Sequence, residues 1–290
     1  MEEQFVKYCL EGDAAGARKL LSVVDPRGCN VLLHKVVALG HVGVAALLLK
    51  AGLDVDSLFE GFTPLHFAAK SGEADAAKLL LRCGANIEAR ISPHGLTALG
   101  IATCPEVVQA LVEAGADVQA VADGYSCLTS AVFHGQGAKV GILLGGGADP
   151  DSCENGGTPL HVAVLVRNVE MVDRLLRAGA DPDGCLRVST EPPPTVLAAE
   201  QGDTEIVSRL VGAGATLPMR ACSCEKDSAF NATVKRAGRA CAGCGARGVP
   251  LRKCSGCLGV RYCGGACQNE HWPRHKRACA KFALARSVLK

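Results

Sequence analysis

Six glycines, Gly52, Gly84, Gly115, Gly147, Gly179 and Gly214, stand 32, 31, 32, 32 and 35 residues apart. Each sits in one recurring phrase: KAGLDVD at Lys50, RCGANIE at Arg82, EAGADVQ at Glu113, GGGADPD at Gly145, RAGADPD at Arg177 and GAGATLP at Gly212. So steady a beat describes one small supersecondary unit written repeatedly. A unit of that length cannot bury its own apolar side, so each copy must stack on its neighbours.

A second phrase keeps the beat: VLLHKVV at Val31, TPLHFAA at Thr63, TALGIAT at Thr97, SCLTSAV at Ser126, TPLHVAV at Thr158 and the degraded PTVLAAE at Pro194. In the best-formed copy, Thr63 caps a helix that Pro64 opens, at the position where a missing N–H costs nothing. Leu65, Ala68 and Ala69 give that helix a narrow apolar face, and small alanines admit a close neighbour. Ser71-Gly72-Glu73 turns the chain, a second helix runs through Ala77, Leu79, Leu80 and Leu81, and Gly84 supplies the positive φ that ends it.

In these phrases the chain resembles ankyrin repeats, whose period is about 33 residues and whose signature is T-P-L-H-x-A. The resemblance implies an all-α ankyrin-repeat solenoid of helix-turn-helix repeats with hairpin loops. Six repeats begin near Cys29, Gly61, Gly95, Gly124, Gly156 and Pro193 and fill residues 29–219. A capping unit at 1–28 precedes them and keeps the second half of the pattern, with EGD at Glu11 followed by ARKLL. The third repeat is expected to lose about a turn of its second helix, because Thr97 is followed so soon by Pro105, and the insertion RVSTEPPPT should make the last repeat irregular.

His34, His66 and His161 recur at one repeat position, where the resemblance implies that the imidazole hydrogen-bonds the adjoining loop. Stacking demands no large side chains at the hairpin tips, which in the family line the concave face. Phe59, Phe62, His94, Leu96 and Tyr125 are bulky residues at or next to such tips. They are the partner-contact candidates, the alternative being that some fold back on the neighbouring loop.

Charge divides the chain in two. From Lys235 onward thirteen lysines and arginines face one acidic residue, Glu270, leaving eighteen basic and twenty-eight acidic residues before it. Nine of the sixteen cysteines (Cys9, Cys29, Cys83, Cys104, Cys127, Cys153, Cys185, Cys222 and Cys224) are mostly scattered singly. The opening MEEQFVKYCLEGD is charged where a secretory segment needs an apolar run, so a reducing compartment, cytoplasm or nucleus, is expected. The most apolar stretch, residues 36–49, is too short for a bilayer, which needs roughly 20 apolar residues, and a soluble protein is expected.

The other seven cysteines fall in the pattern C-x2-C-x9-C-x2-C-x5-C-x3-C-x7-H-x3-C, built from Cys241, Cys244, Cys254, Cys257, Cys263, Cys267, His275 and Cys279. Four thiolate or imidazole ligands close one tetrahedral Zn²⁺ site, so eight imply two structural ions. With no open coordination position and no neighbouring carboxylate base, the pattern argues against zinc catalysis. His271, one helical turn before His275, is the competing imidazole.

The segment resembles the MYND-type zinc finger, most specifically in RYCGGACQNEHWPRHKRAC from Arg261. That family's pattern favours His275 over His271. It implies interleaved sites, with Cys241, Cys244, Cys263 and Cys267 on one ion and Cys254, Cys257, His275 and Cys279 on the other. Spacing alone does not fix this pairing. MYND fingers bind short proline-rich peptides of partner proteins in a shallow groove, and Ser255, Gln268 and Trp272 match the family's contact positions. The alternative for Trp272, the chain's single tryptophan, is that it plugs a very small core.

Residues 220–240 are read as a linker, 241–279 as the finger and 280–290 as a basic tail. Cys222 and Cys224 belong to a solvated linker more simply than to a third metal site, and Pro192-Pro193-Pro194 is a rigid connector before it is a ligand for the finger. No catalytic constellation emerges. Some MYND proteins are lysine methyltransferases, but they carry a SET domain, and no stretch here reads as one. The expected function is a non-enzymatic adaptor, the solenoid binding one protein and the finger a proline-rich peptide of another. The alternative is a nuclear transcriptional co-regulator that contacts nucleic acid through the basic finger, with Arg247, Arg252, Lys253, Arg261, Arg274, Lys276 and Arg277, which the lack of a base-reading helix disfavours.

Overall fold

In the computed structural model each copy of the repeated phrase folds as a pair of short helices joined by a tight turn. The structure describes residues 1–25, 30–91, 94–153, 157–184, 192–215, 252–253 and 261–262. Two units, Met1–Ala148 and Asp149–Lys290, are described separately.

The first unit opens with a complete pair, α1 (Glu2–Leu10) and α2 (Ala14–Leu20). The N-terminal cap thus has both helices, although only the second half of the pattern is written in its sequence; buried Phe5 and Cys9 supply the apolar face of α1. Four repeats follow as α3 (Asn30–Ala38) with α4 (Val42–Lys50), α5 (Pro64–Ser71) with α6 (Ala74–Arg82), α7 (Ala98–Ile101) with α8 (Pro105–Glu113), and α9 (Cys127–Phe133) with α10 (Gly137–Gly145). First helices pack on first helices and second on second, α5 on α3 and α7, α6 on α4 and α8. Leu33, Leu48, Leu65, Leu80, Leu99, Leu111, Leu128 and Leu143 fill the core between them. Each contributes about 1.5–3 kcal/mol through burial. The second unit contains α11 (Pro159–Leu165) with α12 (Val169–Arg177), and α13 (Pro194–Glu200) with α14 (Thr204–Gly212). Among the described residues no helix is long and apolar enough to cross a membrane.

The T-P-L-H phrase works as a cap in two repeats. The Thr63 N–H donates to His66 Nδ1 at 3.3 Å and the Thr63 hydroxyl lies 2.8 Å from the same nitrogen; Thr158 and His161 repeat this at 3.1 and 2.8 Å. With Nδ1 accepting, the His66 Nε2–H is free to donate to the carbonyl of Leu96 in the next repeat, at 3.3 Å. His34 Nε2 likewise meets the carbonyls of Ser57 and Phe62 at 2.9 and 3.2 Å. Carboxylates tie the loops as well: Asp56 accepts from the Asn86 N–H at 2.9 Å and Glu88 from the Asp117 N–H at 2.8 Å.

Two expectations are corrected. The third repeat shortens its first helix, not its second: α7 has four residues, whereas α8 has the full nine and begins at Pro105. Proline at the first helical position opens a helix instead of interrupting one. The sixth repeat is shifted by one residue, since Pro193 occupies the cap position of α13 and Pro194 the first helical position. Residues 187–191 of the insertion lie outside the described residues.

The shortened α7 leaves carbonyls that a second turn would have bonded, and a lysine takes them. Lys139 of α10 is 2% exposed, and its Nζ donates to the carbonyls of Gly100 and Ala102 at 2.9 and 2.7 Å. Burial pulls this ammonium down from 10.5 to about 8, against a smaller upward pull from Cys127.

Candidate partner-binding surface

The loop between the first and second repeats reverses over two residues. The Phe59 N–H donates to the Phe62 carbonyl at 3.0 Å and the Phe62 N–H returns to the Phe59 carbonyl at 2.9 Å. Glu60 (φ 52) and Gly61 (φ 82) form the turn, both in the left-handed region that a type I′ hairpin requires. Asp123 and Gly124 make the same turn between β1 (Val121–Ala122) and β2 (Tyr125–Ser126). In the intervening loop the Ile91 N–H reaches the Leu96 carbonyl at 2.9 Å.

This geometry sends the five tip residues to different ends. Phe59 and Phe62 are half-buried and lean back on Phe67 of α5, ring centroids 6.2 and 5.9 Å away. His34 joins them, 5.8 Å from Phe59 and 5.3 Å from Phe67, and the Lys70 ammonium stands 6.0 Å from the centroid of Phe62. His94 pairs with Asp123 of the next tip at 3.0 Å, both more than half exposed. Leu96 is half-buried, its carbonyl accepting from His66. Tyr125 stands 47% exposed on β2. The cluster draws in Phe67 and Lys70, which sequence reading did not single out. Their signal was position: both lie on the outward side of a first helix whose Pro64, Leu65, His66, Ala68 and Ala69 are buried. Leu58, beside Phe59, is 68% exposed.

All eight proposed zinc ligands and Ser255, Gln268 and Trp272 lie outside the described residues. What is described of this segment is an antiparallel ladder pairing β3 (Arg252–Lys253) with β4 (Arg261–Tyr262), which immediately precede Cys254 and Cys263 in sequence. A donor set of seven thiols and one imidazole fits Zn²⁺, whose structural sites are built from sulfur and nitrogen.

Family comparison agrees with this geometry. The model for ankyrin repeats (3 copies) matches residues 2–91, 33–122, 101–185 and 128–236, so most of the chain is covered. The chain belongs to the ankyrin-repeat family. A MYND finger, a zinc-binding type of domain, matches residues 241–279 of this ankyrin protein. Solved ankyrin repeat domains of human ASB11 and of Bcl-3, a member of the IkappaB protein family, superpose with a TM-score of 0.59 each at 29% identity. The ASB11 match covers 70% of this chain and 96% of that one; the Bcl-3 match covers 63% and 86%.

Among curated relatives, mouse protein phosphatase 1 regulatory subunit 27 is 39% identical over 75 residues, 25% of this chain and 48% of the relative. Mouse ankyrin repeat and SOCS box protein 6 is 32% identical over 120 residues, 39% of this chain and 29% of the relative. Chicken N-lysine methyltransferase SMYD2 is 48% identical over 48 residues, a short match in the MYND region that covers 17% of this chain and 11% of the relative. The chain therefore spans about half or less of the curated relatives it matches.

Proposed function

We propose that this chain is a non-enzymatic adaptor that holds two proteins at once, one on the ankyrin repeats and one through a proline-rich peptide on the MYND finger. The observation that carries the reading is the union, in one chain, of two modules of interaction type. The regulatory-subunit relative supports a role exercised by binding, and the methyltransferase relative matches too short a stretch to carry its catalytic part across. The finger holds two structural zinc ions on its eight ligands, and Trp272, Ser255 and Gln268 form its peptide platform. A flat indole beside polar side chains suits an extended proline-rich segment. The site of action is the cytoplasm or nucleus.

The reading is tested by affinity capture with the full-length, zinc-loaded protein beside Trp272→Ala and Tyr125→Ala. Two separable partner sets are expected, one lost with each variant. Capture that is wholly nuclease-sensitive would replace the adaptor with a nucleic-acid-bound co-regulator; one partner set lost equally with both variants would remove the idea of two independent surfaces.

A further inference from the structure

We infer that the first-helix face of the first two repeats is built for an acidic peptide segment anchored by one aromatic side chain. The inference rests on the adaptor reading and specifies what the repeats would hold.

Its basis is how charge and apolar surface are sorted in the first unit. The first helices of its four repeats, NVLLHKVVA, PLHFAAKS, ALGI and CLTSAVF, contain no acidic residue. Their two lysines, Lys35 and Lys70, are both exposed, and neither has an ion-pair partner among the described residues. The acidic side chains of these repeats sit instead in loops or on second helices, where Asp56 and Glu88 are already engaged by backbone N–H groups and Asp123 by His94. The two lysines thus belong to the first-helix face that carries the cluster of Phe59, Phe62 and Phe67, with Leu58 bare beside it.

Each part of that arrangement selects a feature of the ligand. Ring centroids 5.9 to 6.2 Å apart at tilted and edge-on angles present both faces and edges, which another aromatic ring meets favourably. Ammonium groups with no ion pair among the described residues, that of Lys70 standing 6.0 Å from the Phe62 centroid, attract carboxylates without having to break a resident ion pair. Two cations do not suffice for a polyanion such as RNA, whose binding needs many phosphate contacts. A short local run of carboxylates around one ring satisfies both conditions.

The test uses the full-length zinc-loaded protein and fluorescence anisotropy. The probes are a synthetic peptide with one central phenylalanine flanked by aspartate and glutamate, the same peptide with lysines for its acids, the same with alanine for the phenylalanine, and a single-stranded RNA. Saturable binding of the first peptide alone is expected, weakening as salt is raised. The Lys35→Glu/Lys70→Glu variant, altered only at exposed positions, should bind it about tenfold more weakly, by loss and reversal of two attractions. Phe67→Leu, which stays apolar and removes the ring, should bind the phenylalanine peptide no better than the alanine one. Equal binding of the charge-inverted peptide, no response to the double reversal, or RNA binding that the reversal abolishes would each overturn the inference. Proline-rich peptide binding, read in the same samples with Trp272→Ala as control, reports on the adaptor reading separately.

Discussion

His66 serves both its own helix and the next repeat, accepting at Nδ1 from the Thr63 N–H and donating from Nε2 to the Leu96 carbonyl. Only the neutral ring does both. Burial, the dominant cause, lowers its pKa from the ordinary 6.5 despite upward pulls from the Leu96 and Ala89 backbone. On acidification the unfolded chain therefore takes up this proton first, and stability falls as pH drops through 6.5 toward the lower native value. Urea unfolding at a series of pH values should register that fall, and His66→Gln should flatten it. Glycine positions also separate what sequence can and cannot announce. Gly84 (φ 86) has open space around a would-be Cβ, so Gly84→Ala should cost about 1 kcal/mol, the strain of its backbone alone. At Gly184 (φ 67) a Cβ would run into the His161 ring, and Gly184→Ala should lower the urea midpoint considerably more. The first glycine was legible in the repeat beat. The second was not, because its need arises from a ring 23 residues upstream in the chain.

The shortened helix α7 makes the same point for an element. The sequence signalled an irregularity between Thr97 and Pro105, but a proline read as a break inside a second helix is in fact that helix's first residue. What repairs the lost turn was also written in the chain. Lys139 occupies the repeat position held by Val44, Ala76 and Val107, all buried, and a lone lysine at an apolar repeat position marks a group with carbonyls to satisfy. With its native pKa lowered to about 8 and its unfolded value at 10.5, the unfolded chain holds the extra proton between these pH values, so stability should rise with pH across that window. The rise should be of order 3 kcal/mol and be missing from Lys139→Met, by chemical denaturation compared between variants.

For the molecule as a whole, the repeat fold and its helix pairs could be read from glycine spacing and the T-P-L-H phrase, and the finger from its cysteines. The aromatic surface could not, since it depends on a left-handed two-residue turn at Glu60-Gly61 that returns Phe59 and Phe62 onto α5. Sequence placed those residues at the tip but did not fix where their rings go. Leucine burial holds the repeats, whereas a finger with few apolar residues is expected to draw its folding energy from metal. A strong chelator should therefore release about two zinc ions per chain, read by elemental analysis, with little loss of helical circular dichroism. The central claim is that the two surfaces bind at the same time, and the most direct measurement is mass photometry of the chain with one partner captured through Trp272 and one through the repeats. A ternary complex whose mass is the sum of all three is predicted; mutually exclusive binding, with only binary complexes at saturation, would contradict the account.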